Sequence, residues 1–515
     1  MLTPLFHHEG FLDVVPSDVV AGIILVRLQQ RNFTPISGFP SLNSLSSDPS
    51  GKDAAILRSS ISSGSDTEAS AALRPLTPDR PRLPNSKIML EYHRLSAHKR
   101  RVANHIELTP LRASDFELMR EIAHYSRYSL AVYTHLLYLY MKPLTGACKL
   151  CYHSATRCSC CDRTDPDSSV LGDNLCSMNR VALMRFTKKL NSKLIYANFK
   201  NDYEAKPFAV FADVPRRTVI ISIRGTLSLE DCITDLNAEL GTFEFEGKQR
   251  FAHKGMLLVA NYVYNELKKL HLIETAAAYL DQGYQPPTIG TLRSNDFGLV
   301  TTGHSMGAAG SVILALLLKK EFPQVRCFSY GTPGSTIDKE TSILCQSYVL
   351  SVCLGSDIIC RMSVSSLALL RTQILDAISR AKVNKMQILQ SLFKEYRVDE
   401  LLFSSHQVPD SDFRRDLDVF NEKMKEQVKR YHGDLQIPGR VIHLAKIRSE
   451  GNCCSKTRLY VPVETFAEEF GEIQVSPTML WDHFPNRYVE EVDKVLEEWT
   501  TLYNAAALQM QAIHV

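Results

Sequence analysis

Short continuous apolar runs alternate along this chain with stretches of helical periodicity. Continuous aliphatic runs predict buried strands at residues 208–212, 218–223, 297–302, 325–330, 347–354 and 440–447, and a short one at 459–462. Helical patterns occupy stretches such as residues 253–270, 308–318 and 489–503. Alternation of buried-type strands with helices favours an α/β fold with a mainly parallel central sheet.

The first hundred residues differ in composition from the rest. Pro16-Ser17-Asp18 is a helix N-cap signal, and an apolar helix with a basic end follows it. Ser, Pro, Asp and Gly dominate residues 34–87, a composition that cannot bury enough apolar surface to offset its ordering entropy. The sequence therefore predicts an N-terminal helical segment (1–33), a disordered linker (34–87) and a globular domain (88–515).

Within that domain, residues 112–141 predict one or two helices whose second half is apolar nearly all round. Burial across the sheet is the interpretation we prefer for these helices. Partial contact with a membrane surface is the alternative. Residues 366–435 are polar, charged and helical in pattern, and they contain no obvious strand.

The stretch 297–320 carries the clearest chemical signal. A short apolar strand runs into Gly303-His304-Ser305-Met306-Gly307 and then into a helix of small and aliphatic residues. A turn this tight strains the backbone of Ser305, and it brings strand and helix so close that only glycine fits at Gly303 and Gly307. The Ser305 hydroxyl becomes a candidate nucleophile. The Met306 N–H, at the positive end of the helix, becomes a candidate oxyanion donor.

A nucleophilic serine needs a base, and the base needs a carboxylate that orients it. In folds with this turn the chain order is Ser, then Asp or Glu, then His. Asp357 directly follows a predicted strand, where loops converge at the sheet edge. Asp338 follows a less regular turn and Asp376 falls in a helical pattern, so Asp357 is the predicted acid.

His483 is the predicted base because it lies on a loop just before the final helix. The pattern places His443 inside a strand and His514 at the chain end. His406 and His432 belong to the polar stretch 366–435.

The second oxyanion donor is expected after an earlier central strand. Arg224-Gly225-Thr226 fits, because Gly225 permits close backbone approach and Thr226 offers both an N–H and a hydroxyl. An ordinary type II turn would use the same glycine.

Charge and cysteine content narrow the function classes. The 59 basic and 56 acidic residues give a net charge of +3, which offers no electrostatic case for nucleic acid. We find no apolar run approaching the ~20 residues that cross a bilayer, and the N-terminus lacks a signal-peptide pattern. We therefore expect an intracellular chain with reduced thiols.

A cluster of cysteines lies at residues 148–161. Its first pair has C-x-x-C spacing, but no second well-spaced pair completes a tetrahedral site. A thiol-rich loop without a ligand is the preferred interpretation, ahead of zinc binding and of reversible acylation. No metal is predicted for the chemistry.

Several motifs in order resemble the class 3 lipases, and within them the sn-1-specific diacylglycerol lipases. The similarity is carried by Ile221 to Ser228, His253-Lys254-Gly255-Met256, the Ser305 turn and Leu354-Gly355-Ser356-Asp357. Asp231, the Thr234-Asp235-Leu236 run, Val15 to Gly22 and Cys158-Ser159-Cys160-Cys161 add to it.

The resemblance implies an α/β-hydrolase fold that hydrolyses the sn-1 ester of diacylglycerol, giving a fatty acid and a 2-monoacylglycerol such as 2-arachidonoylglycerol. It also implies a lid at about 227–240, a regulatory insertion at about 366–435, and a role for His253 in steadying the oxyanion loop. Similar lipases are calcium-stimulated, although the sequence shows no EF-hand loop. They carry four transmembrane helices before the catalytic domain, and this chain starts where those would end.

From these features we expect a peripheral enzyme at the cytoplasmic face of a membrane or at a lipid droplet. Phospholipase A1 and triacylglycerol lipase are the enzymatic alternatives. A catalytically silent lipid-binding scaffold is the alternative of another class.

Overall fold

The computed structural model describes residues 15–32, 109–110, 116–155, 169–174, 177–201, 206–226, 240–282, 297–394, 396–404, 407–408, 411, 413–419, 435–448 and 458–513. The predicted linker and nearly all of the predicted lid lie outside these residues.

Fourteen strands occur in the described residues. They are β1 (Thr109–Pro110), β2 (Ser169–Leu171), β3 (Ser192–Asn198), β4 (Phe208–Asp213), β5 (Thr218–Ile223), β6 (Leu240–Phe245), β7 (Lys248–His253), β8 (Gly298–His304), β9 (Val325–Tyr330), β10 (Ile337–Asp338), β11 (Val349–Leu354), β12 (Leu435–Gln436), β13 (Arg440–Arg448) and β14 (Arg458–Thr465).

Fourteen α-helices occur in the described residues. They are α1 (Pro16–Asn32), α2 (Phe116–Ala131), α3 (Thr134–Met141), α4 (Gly146–Ala155), α5 (Met178–Thr187), α6 (Lys254–Lys269), α7 (Leu272–Gln282), α8 (Met306–Leu318), α9 (Lys339–Leu344), α10 (Ile358–Arg361), α11 (Val364–Ser379), α12 (Lys385–Gln390), α13 (Val398–Leu401) and α14 (Pro485–Ile513).

Most strands form one mixed sheet in the order β1-β14-β13-β11-β9-β8-β5-β4-β3-β2. Its central strands β5, β8, β9, β11 and β13 run parallel, whereas β4 and β14 pair antiparallel on either side of them. Parallel strands end at a common edge, so the turns after β5, β8 and β11 converge there. The predicted α/β-hydrolase fold with a mainly parallel centre is confirmed.

The sheet is buried on both faces, which explains its continuous apolar strands. Residues of α6, α7 and α8 pack with Val219 and Ile221 on one face. Residues of α2 and α14 pack with Ile220 and Val300 on the other. The predicted burial of residues 112–141 across the sheet is confirmed for α2. The chain then turns at Thr134, where φ is 57°, and α3 leaves the sheet with Leu136 and Tyr140 exposed.

Helix α6 was predicted to open at His253, which is instead the last residue of β7. The hairpin β6–β7 was not predicted. Its strand β6 alternates exposed and buried residues, and the connecting Glu246 and Gly247 both have positive φ. With β10 and β12 this hairpin forms a second, four-stranded sheet.

Other boundaries also differ from the predictions. Helix α14 begins at Pro485 rather than 489, since proline suits the first turn of a helix. Strand β14 does not end at Pro462, where the prediction ended it, but continues to Thr465. Val461 and Val463, on either side of the proline, are both buried. The polar stretch 366–435 has helices as predicted, but strand β12 begins at its last residue.

Helix α1 packs against this stretch rather than standing apart. Leu25 is fully buried in a cluster that includes Leu370, Ile374 and Leu401. The Gln30 side chain accepts a hydrogen bond from Val475 N at 2.9 Å and donates one to Ile473 O at 3.0 Å. The N-terminal segment therefore contacts both the insertion and the chain that leads to His483.

Among the described helices, none combines the length and apolarity that crossing a membrane requires.

Replacing Leu25 by Ala tests whether α1 is part of the packed domain. We expect the free energy of unfolding to fall by about 2–5 kcal/mol, because the substitution leaves a cavity between α1 and α11. Val20→Ala is the matched control, since Val20 lies on the same helix and is 49% exposed. Its effect should stay within about 0.5 kcal/mol. Equal urea-unfolding midpoints for the two variants would contradict this packing.

Candidate active site

The turn between β8 and α8 holds Ser305 in a strained conformation with φ 60° and ψ −130°. Its N–H donates to Tyr330 O on β9 at 2.9 Å, which ties the turn to the sheet. A Cβ at Gly303 would lie 2.3 Å from Gly307 O, and one at Gly307 would lie 2.2 Å from Ile223 O. Only glycine fits at either position, as the sequence predicted.

The structure brings Ser305, His483 and Asp357 together at the carboxyl edge of the sheet. Ser305 Oγ lies 3.0 Å from His483 Nε2, and His483 Nδ1 lies 3.0 and 2.9 Å from the two Asp357 carboxylate oxygens. With its hydrogen on Nδ1, His483 donates to Asp357 and can accept the Ser305 proton at Nε2. His483 lies in the 3₁₀ turn Trp481–His483, directly before α14.

Asp357 is held as an ionised carboxylate. Burial raises the pKa of this carboxyl, but the charge and hydrogen bond of His483 and a hydrogen bond from Tyr488 outweigh it, so the pKa lies below its ordinary value. The Tyr488 hydroxyl donates to Asp357 Oδ2 at 2.6 Å. Burial, followed by the charge of Asp357, raises the pKa of Tyr488 well above its ordinary value, so Tyr488 remains a donor.

A second histidine lies against the first. The His304 ring centroid is 4.7 Å from that of His483, and His304 Nδ1 is 2.8 Å from the Tyr133 hydroxyl. Burial and then the charge of His483 lower the pKa of His304 well below its ordinary value. His304 is therefore neutral and adds no positive charge beside the imidazolium that forms on His483.

The loops that carry Asp357 and His483 are joined by Asp482. Its carboxylate accepts hydrogen bonds from Ser356 N at 3.0 Å and from the Thr478 hydroxyl at 2.9 Å. Gly355 has a φ of 52°, and a Cβ added to it would lie 2.7 Å from the same carboxylate. These contacts hold the loop of Asp357 against the turn of His483.

The two predicted oxyanion donors, Met306 and Thr226, belong to segments next to Ser305. Met306 is the first residue of α8, so its N–H is among those that have no acceptor inside the helix. A Cβ at Gly225 would lie 3.0 Å from Ser305 Cβ, so the loop that carries half-buried Thr226 lies against the serine.

The described residues that were considered but not chosen as acid or base do not join this hydrogen-bonded path. Asp338 caps α9 by accepting from Thr341 N, and Asp376 pairs with Arg380 along α11. His443 lies in β13 with Nε2 2.8 Å from Gly355 O, where it supports the loop before Asp357. His406, His432 and His514 lie outside the described residues.

Metal ligation is not visible in the described part of the chain, which holds no group of three or more His, Cys, Asp or Glu arranged around a common point. Cys148 is exposed on α4. The side chains of the other cysteines in the predicted cluster lie outside the described residues, so its role stays a prediction.

Sequence reasoning missed Tyr488, Tyr133 and Asp482. Tyr133 belongs to an apolar stretch and Tyr488 to an amphipathic one, and a tyrosine in either is interpreted as core. Asp482 is adjacent to His483 and could have been proposed as a partner from that position alone.

The chain was also compared with known proteins. Residues 220–367 match the family model for lipase (class 3). The match includes Ser305, Asp357 and Thr226, whereas His483 lies outside it.

The chain is similar to human diacylglycerol lipase-alpha, with 28% identity over 98% of this chain and 44% of the relative. It is also similar to mouse diacylglycerol lipase-beta, with 27% identity over 78% of this chain and 61% of the relative. The chain thus spans between about two fifths and three fifths of the relatives' lengths.

Solved structures were matched as well. A Rhizomucor miehei lipase propeptide complex matches with a TM-score of 0.35 and 12% identity, covering 75% of this chain and 81% of that one. A lipase from Rhizopus microsporus var. chinensis matches with a TM-score of 0.31 and 14% identity, covering 57% and 78%.

Residues 220–367 thus carry the class 3 lipase match, and they lie within a larger sheet with the α/β-hydrolase topology.

Proposed function

We propose that the chain is a serine lipase that hydrolyses the sn-1 ester of diacylglycerol, releasing a fatty acid and a 2-monoacylglycerol. The observation that carries the proposal is the continuous path of hydrogen-bond distances from Ser305 through His483 to Asp357. The names of the two diacylglycerol lipase relatives support the substrate class. The sn-1 position follows from the motif resemblance.

In the first half of the reaction, Ser305 Oγ attacks the ester carbonyl while His483 Nε2 takes its proton. Asp357 stabilises the imidazolium that forms, and its low pKa keeps it ionised for this purpose. The N–H groups of Met306 and Thr226 donate to the oxyanion. Removing one such donor from a hydrolase typically costs about 3 kcal/mol in the barrier.

The tetrahedral intermediate then collapses. The bond between the carbonyl carbon and the glycerol oxygen breaks, and His483 gives its proton to the departing alkoxide. A water molecule attacks the acyl-Ser305 ester with His483 again as base, and the fatty acid leaves. No metal enters these steps. Calcium stimulation remains an expectation from the resemblance.

Access to the substrate is also part of the proposal. We place the chain inside the cell, bound peripherally to a membrane or lipid-droplet surface, with residues 227–240 as the lid.

An activity-based fluorophosphonate probe tests the enzyme class. It should label the parent protein and fail to label Ser305→Ala, which should also hydrolyse diacylglycerol at background rate only. Ser311→Ala is the matched control, since Ser311 is a buried serine whose hydroxyl bonds within α8. Equal labelling of the parent and Ser305→Ala would rule out Ser305 as the nucleophile, and a parent protein that is not labelled would favour a silent scaffold.

Diacylglycerols with different acyl chains at sn-1 and sn-2 test the position of attack. We expect the sn-1 acid to appear first in the product mixture, measured by mass spectrometry before acyl migration. Predominant release of the sn-2 acid would contradict the positional claim. Faster hydrolysis of phosphatidylcholine or triacylglycerol than of diacylglycerol would favour the alternative lipases.

A further inference from the structure

Helix α3 exposes apolar side chains along one side. Leu136 is 50% exposed, Tyr140 is 46% exposed, and Leu144, just beyond the helix end, is 92% exposed. Residues four apart lie on the same face of a helix, so Leu136 and Tyr140 are neighbours there. The sequence favoured burial of this face against the sheet, but in the structure Leu136 and Tyr140 are exposed.

This face is continuous with the turn that carries His483. Tyr140 stacks on Phe484 with ring centroids 5.7 Å apart, and Phe484 lies 5.2 Å from Trp481. Leu480, Trp481 and Phe484 are 45%, 46% and 37% exposed. We call these six residues the α3 patch: Leu136, Tyr140, Leu144, Leu480, Trp481 and Phe484. Adjacent exposed apolar side chains of this size mark an interaction surface.

Basic side chains are exposed in the segment that carries α3, among the residues that the structure describes. Residues 132–155 contain no Asp or Glu, and both Lys142 and Lys149 are exposed. Asp482, between Trp481 and His483, is buried. The acidic residues near the start of α14, Glu490 and Glu491, pair with Arg487.

We propose that the α3 patch docks the chain on an anionic lipid surface, with Trp481, Phe484 and Leu144 entering the boundary between headgroups and acyl chains. Tryptophan and tyrosine favour this boundary, because their rings are apolar with one polar atom. Lysines beside such a surface are attracted by anionic headgroups. Docking in this orientation turns the Ser305 site towards the layer that holds the lipid ester. The inference rests on the proposed lipase function and names the surface from which the substrate enters.

Trp481 provides a direct reporter, since the chain has only one other tryptophan, Trp499. The test uses the full chain with Ser305→Ala, which stops turnover, and Trp499→Phe, which leaves Trp481 as the only emitter. It is mixed with vesicles of phosphatidylcholine, with or without phosphatidylserine. We expect a blue shift of the emission and co-sedimentation, both stronger with phosphatidylserine and both weakened by salt.

Two substitutions locate the contact. Tyr140→Ser with Leu144→Ser should weaken vesicle partitioning by about tenfold or more, because each removes apolar surface that the lipid would cover. Val214→Ser is the matched control. Val214 is 46% exposed in the turn between β4 and β5, at the opposite edge of the sheet from Ser305. The Val214→Ser variant should partition to vesicles as strongly as the parent protein. Equal unfolding midpoints establish that the variants are folded.

Three results would overturn the proposal: emission from Trp481 that vesicles do not change, partitioning unaffected by Tyr140→Ser with Leu144→Ser, or equal binding with and without phosphatidylserine. If the emission is blue-shifted before vesicles are added and vesicles do not change it, the proposal is also overturned. Another part of the chain, such as residues 227–239, would then cover the α3 patch. Because these measurements use a protein without the nucleophile, they are independent of whether the parent hydrolyses diacylglycerol.

Discussion

The close approach of β8, α8 and the end of β5 around Ser305 is the constraint on which the rest of the site depends. Gly303 and Gly307 lie so near backbone atoms that a Cβ at either would overlap them. The resulting turn forces Ser305 to a positive φ and directs its hydroxyl beyond the sheet edge. The same approach places the Thr226 loop and the first turn of α8 on either side of the serine. The proposed nucleophile and the segments of the proposed oxyanion donors are thus brought together by one local packing arrangement.

The proposed base, His483, and the proposed acid, Asp357, are positioned by a different and longer-range set of contacts. Asp357 is fixed by Tyr488 from α14 and by the N–H of Ile359. Asp482 joins the Asp357 loop to the turn that carries His483. Further back, Gln30 of α1 bonds to the backbone at residues 473 and 475. The carboxylate and the imidazole therefore depend on elements that lie far apart in the sequence.

This difference explains which parts could be predicted from the sequence. The strand, turn and helix around Ser305 are encoded within about twenty residues, and Asp357 follows a recognisable buried strand. His483 had to be selected by its place in the chain order, because nothing in its own neighbourhood marks a base. Tyr488 and Tyr133 could not be selected, since their roles arise only when helices pack on the sheet. The hairpin β6–β7 was readable from its alternation and its Glu246-Gly247 turn, whereas the turn at Thr134 has no glycine or proline to announce it.

The most direct test of the account is a crystal structure of the protein with a phosphonate covalently bound to Ser305 Oγ. We expect the phosphonyl oxygen to lie within hydrogen-bond distance of the Met306 and Thr226 N–H groups, with His483 still between the adduct and Asp357. A phosphonyl oxygen directed at solvent, or a His483 ring turned away from Asp357, would contradict it.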